Sequence, residues 1–243
     1  MPDVSSTGAQ SPALATALAE ALALDAPLAD RLAAYATALR RLNRPFAEAV
    51  DRLVDRLEAS DAGTAAPQVG EPLPPFLLPD DTGHLTSLDE IVATGPVAIV
   101  FHRGHWCPYC RITNDALSSL DVRARAAGGR IVAIMPDRQA YVAQLKAATQ
   151  APFPMLTDID NGYALALNLA IWVGDELRSQ MQSIGRDLGA YQGNASWFLP
   201  IPATFVVGRD GRIVARHVDP DYRRRMDPDA LMAALERAAT QAA

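Results

Sequence analysis

Cys107 and Cys110 are the only cysteines in the 243-residue chain, and both lie in the run Phe101-His102-Arg103-Gly104-His105-Trp106-Cys107-Pro108-Tyr109-Cys110. Thiols at this spacing suit redox chemistry when they open a helix. Residues i and i+3 of a helix lie about 5–6 Å apart, within reach of a disulfide. The free N–H groups and positive dipole end of a helix start favour a thiolate. The spacing predicts that Cys107, at the start, has a lowered pKa and attacks an oxidised substrate. Cys110, one turn in, then attacks the intermediate and closes a Cys107–Cys110 disulfide. An external thiol must reopen that bond, and no other cofactor is expected. Pro108 suits the first turn, where a missing N–H costs little. Arg103 and a protonated His105 add positive charge, with Arg111 close behind. Trp106, Pro108 and Tyr109 shape the pocket.

Other chemistries fit the same residues less well. A metal-binding or metal-delivery module would use Cys107, Cys110 and His105, with His102 as a further ligand. It would lack a second cysteine pair, and its histidines precede the helix. Haem attachment needs a histidine after the second cysteine, where Arg111 stands. His84 and His217 read as ordinary surface residues.

The elements that must position the pair follow from the hydrophobic pattern. Residues 97–102 read as a buried strand, and residues 107–127 as the helix that carries the thiols, closed by Gly128 and Gly129. A strand at 130–135 and a helix at 138–148 come next, then an extended piece at 154–156, a helical stretch at 161–169 and an inserted helix at 176–188. Strands at 203–207 and 212–218 form a hairpin around Arg209-Asp210-Gly211. Asp227 and Pro228 open a last helix. Ser87 caps a short helix through about Val92. Parallel crossovers plus a hairpin give an α/β fold with a mixed central sheet flanked by helices.

The chain divides near residue 64. Residues 1–64 form an N-terminal helical extension, with helix starts at Ser11-Pro12, Asp25 to Pro27 and Asn43 to Pro45. Their apolar stripes require cover from the main domain or from a second copy in a homodimer. Residues 62–75 read as a linker, and residues 65–243 form the main domain. Trp172, Trp197 and Phe198, in or beside an insertion at 173–199, read as packing residues, a lid over the thiols being the sharper reading. The charged run Asp219 to Arg225 reads as a solvated loop, or as a recognition surface for an acidic partner.

Composition bounds the function classes. A net charge of −6 and a hydrophobic content of 49% describe a globular protein without the basic surface that nucleic acid requires. The longest apolar runs fall far short of a membrane span, and no basic stretch opens the chain. A cytoplasmic protein without a leader is expected.

These stretches resemble the thioredoxin-fold superfamily, and within it the peroxiredoxin-like branch of the alkyl hydroperoxide reductase/thiol-specific antioxidant family. Residues 70–83, 96–110, 134–137, 152–160 and 201–213 carry the likeness, while Cys-Pro-Tyr-Cys itself is the form usual in glutaredoxins. The resemblance implies a thioredoxin-like fold and an antioxidant oxidoreductase, either a disulfide reductase or a thioredoxin-dependent peroxidase. Its substrate would be a peroxide or a protein disulfide, with a thioredoxin- or glutaredoxin/glutathione-type reductant. It also implies a cis bond at Ile201-Pro202, with Pro202 facing the cysteines. Two positions depart from the family pattern. Gly104 stands where Thr or Ser is usual, and Pro202 stands near the place of an expected arginine. Both departures move the site toward dithiol–disulfide exchange.

Overall fold

A computed structural model describes residues 11–241. The opening residues, on which the expectation of no leader rests, lie outside the described part. The chain starts with three helices, α1 (Pro12–Ala23), α2 (Leu28–Leu42) and α3 (Arg44–Ala59). Asn43 separates the last two and accepts a hydrogen bond from the Phe46 N–H at 3.2 Å, which satisfies one free donor of α3. The Ser11 hydroxyl makes no such bond, so proline at the first turn rather than a hydroxyl cap starts α1.

A short antiparallel pair, β1 (Leu77–Pro79) and β2 (Leu85–Ser87), leads into α4 (Leu88–Thr94). Ser87 and Glu90 form a reciprocal capping box there, as the sequence predicts for the start of this helix. Next come β3 (Val97–Phe101), α5 (Pro108–Ala126), β4 (Arg130–Met135), α6 (Gln139–Ala148) and β5 (Met155–Thr157). A single 3-10 turn precedes α7 (Gly162–Ala166), and β6 (Ala170–Trp172) follows. The insertion holds two helices, α8 (Asp175–Ser183) and α9 (Leu188–Gln192), where one is predicted. Gly185, with φ of 74°, turns the chain between them. Strand β7 (Phe198–Pro200) then pairs back on β6, so the insertion is pinned at its base. The chain ends with β8 (Ala203–Val207), β9 (Ile213–Val218) and α10 (Pro228–Gln241).

The central sheet has the order β5-β4-β3-β8-β9. β3, β4 and β5 are parallel, β8 runs antiparallel to β3, and β9 to β8. The mixed α/β sheet expected from the strand pattern is therefore present. All five residues of β3 are buried, because helices cover both faces. On one face Ile99, Phe101, Ile134 and Phe205 meet Ile91 of α4 and Tyr163 of α7. On the other, Val100, Ala133 and Val206 meet Leu117 and Leu120 of α5, Val142 of α6 and Leu235 of α10.

A third apolar core decides the site. Leu32, Tyr35 and Leu39 of α2 and Phe46, Val50 and Leu53 of α3 pack with Leu177 and Met181 of α8, Leu188 and Tyr191 of α9, and Cys107, Tyr109 and Ile112 at the start of α5. The stripes of the N-terminal arm are thus covered within the chain. Arg31 fixes that cover. Its guanidinium donates to the carbonyls of Ala21 and Leu22 and to Asp115 of α5 at 2.6 Å. Residues 62–75 are not a free linker, since Ala66 and Leu73 are buried and the Gly70 N–H donates to the Ile213 carbonyl. No helix among the described residues is long and apolar enough to cross a membrane.

Candidate active site

The parallel strand β3 ends at Phe101, and the loop 102–107 delivers the chain to the N-terminus of α5. Cys107 is the residue before the first helical turn, Pro108 is the first helical residue, and Cys110 follows one turn in, as expected from the motif. Both cysteines are free thiols. Cys107 is only 1% exposed and Cys110 0%, because the arm, the insertion and the loop after β9 lie over them.

The thiols form one hydrogen-bonded unit. Burial opposes ionisation of both. Even so, Cys110 is drawn down to about 6, because it accepts from the Cys107 thiol and from the Arg103 N–H at 3.3 Å, with the Arg225 and Arg103 charges in reach. Cys107 is held well above the ordinary thiol value by burial and by its role as donor to Cys110. This corrects the expectation of a lowered Cys107 pKa. The helix start and Arg103 favour its thiolate, but in the closed arrangement desolvation outweighs them.

Arg103 is buried with its guanidinium 3.7 Å from the centre of the Tyr222 ring and 5.3 Å from that of Trp106. It stands beside the thiols, as the sequence suggests. Trp106 is half-buried, with Arg186 of the insertion also facing its ring. Pro108 lines the space over Cys107. Tyr109 is wedged edge-on between Tyr35 at 5.3 Å and Tyr222 at 5.2 Å, geometries that each contribute about 1 kcal/mol beyond burial.

Four expectations fail here. His105 does not face the sulfurs. Its Nδ1 meets the buried Asp137 carboxylate at 2.7 Å, its N–H donates to the same oxygen, and its ring stacks on Tyr141. The ligand set of the metal-binding alternative is therefore not assembled, and no metal-ligating group of three side chains occurs among the described residues. The Ile201-Pro202 bond is trans, as are all peptide bonds among the described residues. The Ile201 N–H bonds to the Leu169 carbonyl and holds the segment extended between β7 and β8. Pro202 is buried at the head of β8, and the β3–β8 register carried on sets it opposite His102. Third, the run 219–225 is not a solvated loop. Tyr222 is buried on Tyr109 and Arg103, and Arg223 bridges Asp221 and Asp51 of α3. His217 is likewise not a surface residue, being half-buried with Nε2 unpartnered.

Gly104 has φ of 147°, and a Cβ there would collide with the Trp106 indole and the Asp137 carboxylate. The close approach of those two groups explains why no hydroxyl-bearing residue occupies the position. Trp197 packs in the core, whereas Trp172 and Phe198 stand exposed on the β6–β7 pair, away from the role of lid. The cover over Cys107 comes instead from Leu14, Leu39, Phe46, Ile184 and Tyr222. The space they leave measures about 20 Å³, room for one water-sized molecule.

In the sequence His102 reads only as a further metal ligand, not as the structural residue it is. It is fully buried, its Nε2 lies 3.1 Å from the side-chain Oδ1 of Asn114, and burial lowers its pKa to about 4, so it is neutral. The Asn114 amide donates onward to Thr149, which fixes its orientation and so the Nε2–H tautomer of His102. A clue to Asp137 was available. It follows β4 at the carboxyl end of a parallel sheet, where functional groups collect.

The sequence model of the AhpC/TSA family matches residues 69–216, more than half of the chain. The protein belongs to this family of thiol-dependent peroxidases and oxidoreductases. Solved structures show the thioredoxin fold of the same family. Reduced Prx3 of Vibrio vulnificus, solved with H2O2, is 18% identical with a TM-score of 0.56, covering 70% of this chain and 99% of its own. Peroxidoxin BcpB of Mycobacterium tuberculosis is 19% identical with a TM-score of 0.54, covering 70% and 97%. Peroxiredoxin 6 of Arenicola marina is 16% identical with a TM-score of 0.54, covering 69% and 72%. No curated protein matches the chain. The family match begins after the arm and ends before the 219–225 loop, so two of the three segments that cover the thiols lie outside it.

Proposed function

We propose that the protein is a thiol-dependent peroxidase for small hydroperoxides, with Cys107 as nucleophile and Cys110 as resolving thiol. One observation carries the choice of oxidant. Cys107 borders a space for a single water-sized molecule, which suits a hydroperoxide end and has no room for the chain of a protein disulfide. The peroxide bound in the Vibrio vulnificus neighbour is in keeping with this reading.

The hydrogen bond between the thiols supplies the first step. The Cys107 proton passes to Cys110, and the Cys107 thiolate attacks the terminal peroxide oxygen. The O–O bond breaks, Cys107 becomes a sulfenic acid, and the alkoxide or hydroxide leaves, taking from solvent the proton that Cys110 released on ionising. Cys110 sulfur then attacks Cys107 sulfur, water departs, and the disulfide forms. Two thiols and one hydroperoxide become one disulfide, one alcohol and one water. Arg103 stabilises the anionic states as a buried charge.

The test sets hydrogen peroxide against insulin disulfides with dithiothreitol as donor. Peroxide turnover is expected. Cys107→Ser should abolish it, and in Cys110→Ser one oxygen per protein should transfer before the disulfide-forming step fails. Insulin reduction without peroxide consumption would sink the reading and return the site to disulfide exchange.

A further inference from the structure

A second and larger cavity, of about 640 Å³, lies on the other side of Tyr109. That volume is typical of small-molecule sites. Arg40 and Arg41 from the end of α2, Arg44 from the start of α3 and Arg223 from the 219–225 loop line it, and no carboxylate does. Four guanidinium groups in one cavity stand out in a chain of net charge −6. Asp51 takes one Nη of Arg40 at 2.5 Å and one of Arg223 at 2.7 Å, Asp221 holds other nitrogens of Arg223, and Glu48 takes Nε of Arg44 at 2.8 Å. Each guanidinium has five N–H donors, so Arg40 and Arg44 keep donors beyond these pairs. Arg41 has no ion pair among the described residues. Leu39 and Tyr109 line this cavity and also the space over Cys107. The two are neighbouring rooms with a common wall.

We infer that this cavity binds the reductant, a low-molecular-weight thiol that carries carboxylates. The inference rests on the proposed peroxidase cycle, which ends in a disulfide that needs an external donor. A folded donor would have to displace the arm to touch Cys107, whereas a small thiol held by the arginines needs only Leu39 and Tyr109 to give way. The donor thiolate attacks Cys107 sulfur of the disulfide, forms a mixed disulfide and releases Cys110, which takes the donor's proton. A second donor thiolate attacks the donor sulfur of the mixed disulfide, and Cys107 leaves and takes the second proton. Two donor thiols become one donor disulfide, and two electrons pass to the protein.

The probe is reduced glutathione, a dicarboxylate thiol, with cysteamine as a thiol lacking carboxylates. Reduction of the oxidised full-length protein should saturate with glutathione, and citrate and added salt should inhibit it. Arg41→Gln with Arg44→Gln, two exposed positions, should raise the glutathione KM about tenfold and leave the cysteamine rate unchanged. A linear, citrate-insensitive glutathione rate, or equal loss with both thiols, would overturn the inference. Calorimetry on the double variant Cys107→Ser, Cys110→Ser separates it from the redox reading. Glutathione should bind that protein and bind more weakly when Arg41 and Arg44 are also replaced, whereas failure of the peroxidase reading alone leaves this binding intact. No binding to the thiol-free protein also overturns it.

Discussion

His102 and Gly104 show at the residue scale how the loop before the thiols is held. His102 enters the fold neutral, and its acceptor in Asn114 keeps Nε2 protonated while Nδ1 stays without a partner. Its pKa falls from 6.5 to about 4 on folding, chiefly by burial. The unfolded chain therefore binds a proton that the folded one refuses, and stability declines as pH drops from 6.5 toward 4. The loss across that window is on the order of 3 kcal/mol, to be read as a falling urea midpoint. His102→Gln keeps a donor for Asn114 and should flatten that part of the pH profile. An unchanged slope would show that another group titrates there. Gly104 was visible in the sequence only as a missing hydroxyl. Its positive φ and the indole lying across it are tertiary facts, which no local pattern encodes. The placement of the cysteine pair at a helix start was legible because its spacing and flanking strand are local. The direction of the Cys107 pKa was not, since it depends on what covers the sulfur.

Among the elements, the sheet and its helices were the most readable. β3 is an uninterrupted apolar run, β4 is one after its first residue, Arg130, β8 is broken only by Thr204, and α5 and α10 start at prolines. The β1–β2 and β6–β7 pairs are three residues per strand and fall below any reliable periodicity. The arm helices were readable as helices, yet their destination was not, because an apolar stripe does not name its partner. That destination sets access to the thiols. Phe46 of α3 is a wall of the space over Cys107. Phe46→Ala should enlarge the space, raise the rate with cumene hydroperoxide about tenfold relative to hydrogen peroxide, and cost about 3 kcal/mol of stability. An unaltered ratio of the two rates would show that α3 does not set oxidant size.

For the whole molecule, arm, insertion and 219–225 loop close over a family core from three directions. Arg31 ties α1 and α2 to α5, Arg52 joins α3 to Glu176 of α8 at 2.5 Å, and Arg223 joins the loop to Asp51. Arg31 is the most buried of these three arginines, and although Asp115 is partly exposed, loss of the guanidinium also takes the donor from the Ala21 and Leu22 carbonyls. Arg31→Met should loosen the arm and speed labelling of reduced Cys107 by dithionitrobenzoate about tenfold, the equivalent of about 1.4 kcal/mol in the opening equilibrium. Identical labelling rates would mean that the thiols are reached without movement of the arm. The smallness of the space over Cys107 has one more consequence, which concerns durability. Under the proposed reaction, the first oxygen to arrive fills this space beside the sulfur. A second peroxide cannot approach until Cys110 has expelled that oxygen as water. Oxidation then halts at the sulfenic rung, short of the irreversible sulfinic acid. Mass spectra of protein treated with excess peroxide should accordingly show a loss of two hydrogens and no gain of two oxygens. Such an enzyme would outlast oxidant bursts that silence a more open site.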